Sequence, residues 1–201
     1  MIGIIDYDAG NIRSVEKAMK YLGQDVCITR DRDTLLRADK VILPGVGSFG
    51  DAMNHLQEYG LVDVIHELTE LEKPFLGICL GLQLLFERSE ESPGVEGLGI
   101  LKGEILKIPE TEGLKIPHMG WNSLTLQNQG RLFKGLEEHP YVYFVHSYYL
   151  KAEEESIVKA TTQYGGTIHA SVEKGNVFAC QFHPEKSSRA GLQMLKNFAE
   201  L

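Results

Sequence analysis

Residues 73–86 read Lys73-Pro-Phe-Leu-Gly-Ile-Cys-Leu-Gly-Leu-Gln-Leu-Leu-Phe86, and the change of character halfway along decides the fold. Pro74 to Ile78 is a short apolar run opened by a proline, the pattern of a fully buried strand. Leu80 to Glu87 is built from good helix formers with apolar residues on several sides, the pattern of a buried helix. The switch falls on Cys79, with Gly77 and Gly81 two residues to either side. A sharp strand-to-helix turn leaves no room for side chains beside its apex. That is the logic of a Gly-x-nucleophile-x-Gly elbow, here with sulfur in place of oxygen. A cysteine at a helix start also feels the positive end of the helix dipole, which favours the thiolate. The competing reading is a plain buried cysteine, a common fate of a free thiol. The paired glycines at the strand-to-helix change favour the nucleophile.

Outward from the elbow, the chain alternates short apolar runs with helical patterns. Ile2 to Ile5, Asp25 to Ile28 and Lys40 to Leu43 read as strands, and Ile12 to Leu22, Asp51 to Tyr59 and Leu61 to Leu71 as helices. Gly23 and Gly60 end or break these helices, and Asn11 is placed to cap the first. Such alternation predicts a parallel sheet with helices on both faces, whose functional loops gather at the carboxyl ends of the strands. Asp6–Asn11, Pro44–Gly50 and the Cys79 elbow are those loops. Three glycines in Pro44-Gly-Val-Gly-Ser-Phe-Gly50 free backbone N–H groups. A phosphate loop lacks its Gly-Lys-Ser/Thr continuation here, and a simple flexible turn is the other alternative. Beside an elbow, an oxyanion hole ranks above both.

Ser89 to Gly94 reads as an exposed turn. Beyond Ile100, short strands dominate: Ile100–Ile108, Trp121–Leu126, Tyr141–Leu150, Ile157–Thr162, Ile168–Val172 and Val177–Phe182. They predict a mixed or antiparallel extension, closed by a helix from about Ser188 with Leu192, Leu195 and Phe198 on one face.

A thiol nucleophile needs a base. Of seven histidines, His55, His66, His139 and His169 have unremarkable surroundings. His183 follows the apolar strand and opens His183-Pro-Glu185. The proline keeps His183 extended, so His183 and Glu185 can point to one side and form a base held by a carboxylate. Two residues are thin support for the alternative, a metal site. Cys27 and Cys180 lie in apolar strands and read as inert core.

At 201 residues the chain suits one domain, with 43% hydrophobic and 24% charged residues. Acidic residues outnumber basic ones 28 to 20, a net charge of −8, which disfavours nucleic acid or an anionic membrane surface as partner. Three widely spaced cysteines form neither a disulfide framework nor a zinc ribbon. No stretch resembles a signal peptide or a bilayer span. A reduced, cytoplasmic setting is expected.

Gly77-Ile-Cys79-Leu-Gly81-Leu-Gln83 together with His183-Pro-Glu185 resembles the class I (triad) glutamine amidotransferases. Pro44–Gly50, Pro117-His-Met-Gly-Trp-Asn122, Tyr143-Phe-Val-His-Ser-Tyr148 and Gln181-Phe-His-Pro-Glu-Lys-Ser187 resemble one branch of them. That branch comprises the glutaminase subunits of histidine biosynthesis. The likeness spans residues 1–201 as a single amidotransferase domain and implies a flavodoxin-like fold. It implies that Cys79 attacks the carboxamide of glutamine and that His183, oriented by Glu185, passes a proton to departing ammonia. Backbone amides of Leu80 and of Val46–Gly47 form the oxyanion hole; Gln83 and the Ser147–Tyr148 backbone hold the amino acid end. No metal or cofactor is implied. The implied partner is a (β/α)₈-barrel cyclase subunit, forming a heterodimer that makes imidazole glycerol phosphate and AICAR, with Asn11, Met119, Trp121 and Lys186 at partner-facing positions. The Pro117–Asn122 stretch argues against a glutaminase subunit of anthranilate synthase. Asp8 departs from the glycine common there, and aspartate tolerates left-handed backbone better than most residues.

Overall fold

The computed structural model describes residues 1–127 and 129–201. In chain order the elements are β1 (Ile2–Ile5), α1 (Ile12–Tyr21), β2 (Val26–Thr29), α2 (Arg32–Arg37), β3 (Lys40–Gly45), α3 (Phe49–Glu58), α4 (Leu61–Glu70), β4 (Phe75–Cys79) and α5 (Leu80–Leu84). They continue with β5 (Arg88–Ser89), β6 (Gly103–Lys107), β7 (His118–Ser123), β8 (Thr125–Leu126), β9 (Tyr141–His146) and β10 (Tyr148–Ala152). The last are β11 (Val158–Gln163), β12 (Thr167–Lys174), β13 (Val177–Cys180) and α6 (Ser188–Ala199).

The central sheet has the order β2-β1-β3-β4-β13-β12-β11-β8. Strands β2, β1, β3, β4 and β13 run parallel; β12, β11 and β8 extend the sheet antiparallel. The parallel part is the flavodoxin-like winding expected from the sequence, with its reversal of strand order beside β1. Strand side chains alternate between faces. Ile4, Ile42, Leu76, Ile78 and Phe178 therefore pack with Val15 and Met19 of α1 and Leu195 and Phe198 of α6. Their neighbours Ile5, Val41, Leu43, Phe75 and Ala179 pack on the opposite face with Leu35, Met53, Leu56 and Ile65 of α2, α3 and α4. Burying a large apolar side chain contributes roughly 1.5–3 kcal/mol, so both faces fix the sheet. Its carboxyl ends carry the loops.

Several boundaries differ from the sequence reading. The elbow helix stops at Leu84 instead of Glu87, because Leu98 N and Leu101 N bond the carbonyls of Leu84 and Leu85 from another segment. Tyr141–Leu150 is not one strand. It divides at Ser147, whose carbonyl accepts Ile108 N at 2.9 Å, so that β9 pairs with β7 while β10 pairs with β6. Trp121–Leu126 likewise divides between β7 and β8, which lie in different sheets. Ser89 is buried within β5 and not part of an exposed turn. Cys27 is half-buried, because β2 is the outermost strand.

Candidate active site

Strand register assembles the site. Gly45 lies beside Cys79 across β3 and β4, and Ile78 beside Cys180 across β4 and β13. The loops after β3, β4 and β13 consequently converge. Cys79 has φ 55° and ψ −108°, a conformation that costs a non-glycine residue on the order of 1–3 kcal/mol and persists only where the surroundings enforce it. Close packing enforces it here. A Cβ on Gly77 would lie 2.6 Å from Gly81 O, and one on Gly45 would collide with the Tyr7 hydroxyl and approach Leu80 Cβ to 3.0 Å.

His183 is fully buried. Its Nδ1–H donates to Glu185 Oε1 at 2.8 Å, since a carboxylate can only accept. Nε2 is buried and makes no well-formed hydrogen bond, leaving that side of the ring to the Cys79 sulfur. Burial pulls the imidazole pKa down, but the Cys79 sulfur and the Glu185 carboxylate outweigh it and raise the value to about 9. The ring is therefore held ready to carry a second proton near neutral pH.

Asn11 corrects an expectation. It sits in the left-handed region, φ 69°, and its side chain does not cap α1. Nδ2 instead donates to Glu185 Oε1 at 2.5 Å, so a residue assigned to the partner face braces the carboxylate. Its 3.3 Å approach to His183 Nδ1 is proximity only, because that nitrogen is already a donor. Asp8 adopts φ 64° and accepts from Arg30 at 2.7 Å and from the Tyr59 hydroxyl.

A cavity of about 380 Å³ opens over the sulfur, lined by Val46, Gly47, Cys79, Leu80, Gln83 and Glu91. Pro117, Val145, His146, Ser147 and Tyr148 close its other side. The residues predicted for an oxyanion hole and for the amino acid end thus share one cavity with the sulfur. Gln83 spends both amide protons on protein, donating to Tyr148 O at 3.1 Å and to Gln181 Oε1 at 3.0 Å. Its carbonyl is the end available to a ligand.

Four contributors went unassigned in the sequence reading. Glu91 reaches the cavity and accepts Phe49 N at 2.8 Å, while Ser92 Oγ accepts Gly50 N at 2.9 Å. Together they pin the start of α3, just beyond the Val46–Gly47 loop. Tyr7 is buried and donates to Pro44 O at 2.7 Å; burial first, and Cys79 second, push its hydroxyl pKa well up. Gln181 donates to Cys79 Sγ at 3.7 Å. The position of Gln181 directly after an apolar strand was the one local signal among the four. Cys180 is buried, and burial pushes its thiol up, reinforced by Glu185 and Cys79, which suits an unreactive group.

Met119 and Trp121 project from β7, 62% and 54% exposed, and Lys186 is also exposed. Among the described residues, no group of three or more His, Cys, Asp or Glu is placed to hold a metal ion, and no helix is long and apolar enough to cross a membrane.

The family model described as glutamine amidotransferase class-I matches residues 3–201. The chain is 53% identical to imidazole glycerol phosphate synthase subunit HisH of Caldanaerobacter subterraneus subsp. tengcongensis over 100% of this chain and 98% of the relative. It is 50% identical to the subunit of the same name from Methanocaldococcus jannaschii, covering 100% of both. In fold it is similar to a crystal structure of a glutamine amidotransferase, with TM-score 0.77 and 22% identity, covering 99% of this chain and 97% of that one. The structure of PurLQS from Thermotoga maritima matches with TM-score 0.76, 22% identity and the same coverage.

Proposed function

The chain belongs to the class-I glutamine amidotransferases and, among them, to the family of imidazole glycerol phosphate synthase subunit HisH. From that premise we propose that residues 1–201 act as a single amidotransferase domain in the cytoplasm, hydrolysing glutamine through Cys79, His183 and Glu185. The ammonia passes to a (β/α)₈-barrel cyclase subunit that makes imidazole glycerol phosphate and AICAR. The observation that carries this reading is His183, buried with one nitrogen on Glu185 and the other turned to a sulfur on a strained elbow.

The steps follow from that arrangement. Cys79 Sγ attacks the side-chain carboxamide carbon of glutamine, and the oxygen becomes an oxyanion. Leu80 N–H, free at the first helical position, and an amide of Val46–Gly47 receive that charge. The protonated Nε2 of His183 gives its proton to the leaving nitrogen, the C–N bond breaks, and ammonia departs from a γ-glutamyl thioester. Water then attacks the thioester as His183 takes its proton, releasing glutamate and the thiolate. Glu185, braced by Asn11, holds the ring in the Nδ1–H tautomer throughout. The Gln83 carbonyl and the Glu91 carboxylate face the cavity where the α-ammonium of glutamine would lie, a pairing of opposite charge. Asn11, Met119, Trp121 and Lys186 form the docking face.

Glutamate release tests the proposal. We expect weak hydrolysis by the chain alone, a large rise with the cyclase and its nucleotide ligand, and no activity in Cys79→Ala. Activity surviving that substitution refutes the nucleophile. High activity indifferent to the cyclase refutes the partnership.

A further inference from the structure

His118 and His146 take no part in the chemistry above, yet both are buried and face each other in register across β7 and β9. Their protons can be placed by elimination. The Tyr148 carbonyl can only accept, so the 2.8 Å contact requires His146 to carry a proton on Nδ1. Burial keeps both rings neutral, lowering His146 to about 3 and His118 to about 4. A neutral His146 leaves Nε2 as an acceptor, so His118 Nδ1 must donate to it across 2.9 Å. His118 Nε2 is then an acceptor in turn, filled by the Asn122 amide at 3.3 Å.

The Tyr148 carbonyl also accepts Gln83, which donates on to Gln181, which donates to the nucleophile sulfur. A continuous hydrogen-bonded chain thus joins Asn122 to Cys79. The imidazole of His118 cannot swing out of it. It is stacked between Tyr164, with ring centroids 3.9 Å apart, and Phe144 at 4.6 Å. Side chains alternate along a strand, and on the outer face of the same β7 stand the exposed Met119 and Trp121. One strand therefore presents an apolar surface outward and an imidazole inward.

We propose that His118 and His146 are positioning residues that tie the glutamine cavity to β7, so that a protein seated on Met119 and Trp121 is felt at Gln83, Gln181 and Cys79. The proposal rests on the reading of the site as a partner-activated glutaminase. Coupling through it is physical and contiguous: the links from His118 to His146, from Gln83 to Gln181 and from Gln181 to Cys79 are buried, and those at Asn122 and at the Tyr148 carbonyl are part-buried.

Two measurements test it. Nitrogen-15 spectra of the histidine rings in the wild-type chain at pH 7 report which nitrogen holds each proton. Protonated Nδ1 and bare Nε2 are expected on both rings; an Nε2–H tautomer or an imidazolium on either overturns the proposal. This readout does not depend on activity, so a wild-type chain that hydrolyses no glutamine would sink the functional reading and leave the relay to be judged by its spectra. The second measurement compares His118→Phe, which keeps the stacked ring and removes both nitrogens, with His118→Asn, whose amide restores a donor near Nδ1. Loss of one buried hydrogen bond should lower the cyclase-stimulated kcat/KM for glutamine about tenfold in His118→Phe, at unchanged affinity for the cyclase. His118→Asn should recover most of it. Full stimulation in a folded His118→Phe, or equal losses in the two variants, overturns the proposal. If His118→Phe does not fold, His118→Asn and the spectra decide.

Discussion

Gly77→Ala is the sharpest test of the elbow. The added Cβ would lie 2.6 Å from Gly81 O, 2.8 Å from Gly81 C and 3.0 Å from Leu82 N. All three are backbone atoms of α5, so no side chain can swing aside. Ordinary contact begins at 3.4 Å, and 3.4 less 2.6 leaves about 0.8 Å by which α5 must move away from β4. Overpacking of this kind costs about 1–3 kcal/mol, partly offset by the roughly 0.5–1 kcal/mol gained when alanine replaces glycine in a strand. A net loss of about 1–2 kcal/mol would lower the urea midpoint by about 0.5–1 M for a slope near 2 kcal/mol per M. The same shift carries Leu80 N–H and Cys79 with it. Since a misplacement of about 1 Å can cost on the order of 10²-fold in rate, kcat/KM for glutamine should fall by tens of fold. Gly23→Ala is the control. Gly23 has φ +76° and nothing within 4 Å of the new Cβ, so it should cost about 1 kcal/mol of stability through backbone strain alone and leave kcat/KM unchanged. Wild-type activity in Gly77→Ala, or equal activity losses in the two variants, would refute the reasoning.

The His183 pKa of about 9 lies above its unfolded value, so the stability it contributes is fully present below about pH 6.5 and fades as pH rises through 9. In the pH profile of glutamate release, kcat/KM should decline above about 9, and Glu185→Gln should move that limb downward. The depressed His118 and His146 values act oppositely: the unfolded chain binds protons that the native rings refuse, so stability falls as pH drops below about 6.5 towards 4. Each group should contribute roughly 1.4 kcal/mol per pH unit in that window, visible in urea titrations and reduced in His118→Phe. Trp121→Ala should weaken cyclase binding by on the order of 2 kcal/mol, about thirtyfold in Kd by calorimetry, while thermal unfolding of the chain alone barely moves because the side chain is 54% exposed.

Local order along the chain was enough to identify a parallel sheet with helices on both faces, the elbow at Cys79 and the candidates His183 and Glu185, because hydrophobic period, glycine placement and a proline after histidine act on neighbouring residues. The flavodoxin-like winding was implied only by the family resemblance. What lies beyond a few residues had no such trace. Asn11 looked like a helix cap and became the brace of Glu185; Glu91 and Ser92 looked like a solvent turn and became the pins of α3; Tyr141–Leu150 looked like one strand and serves two sheets. Each of these outcomes depends on a hydrogen bond to a residue distant in the chain. The tautomers of His118 and His146 were likewise undecidable until packing placed a carbonyl beside one ring. Sequence determines which segments are strands, helices and turns through short-range sterics and burial. Only the packed molecule decides which buried polar atoms find each other, because nearly all of them are satisfied by whatever partner the fold brings beside them.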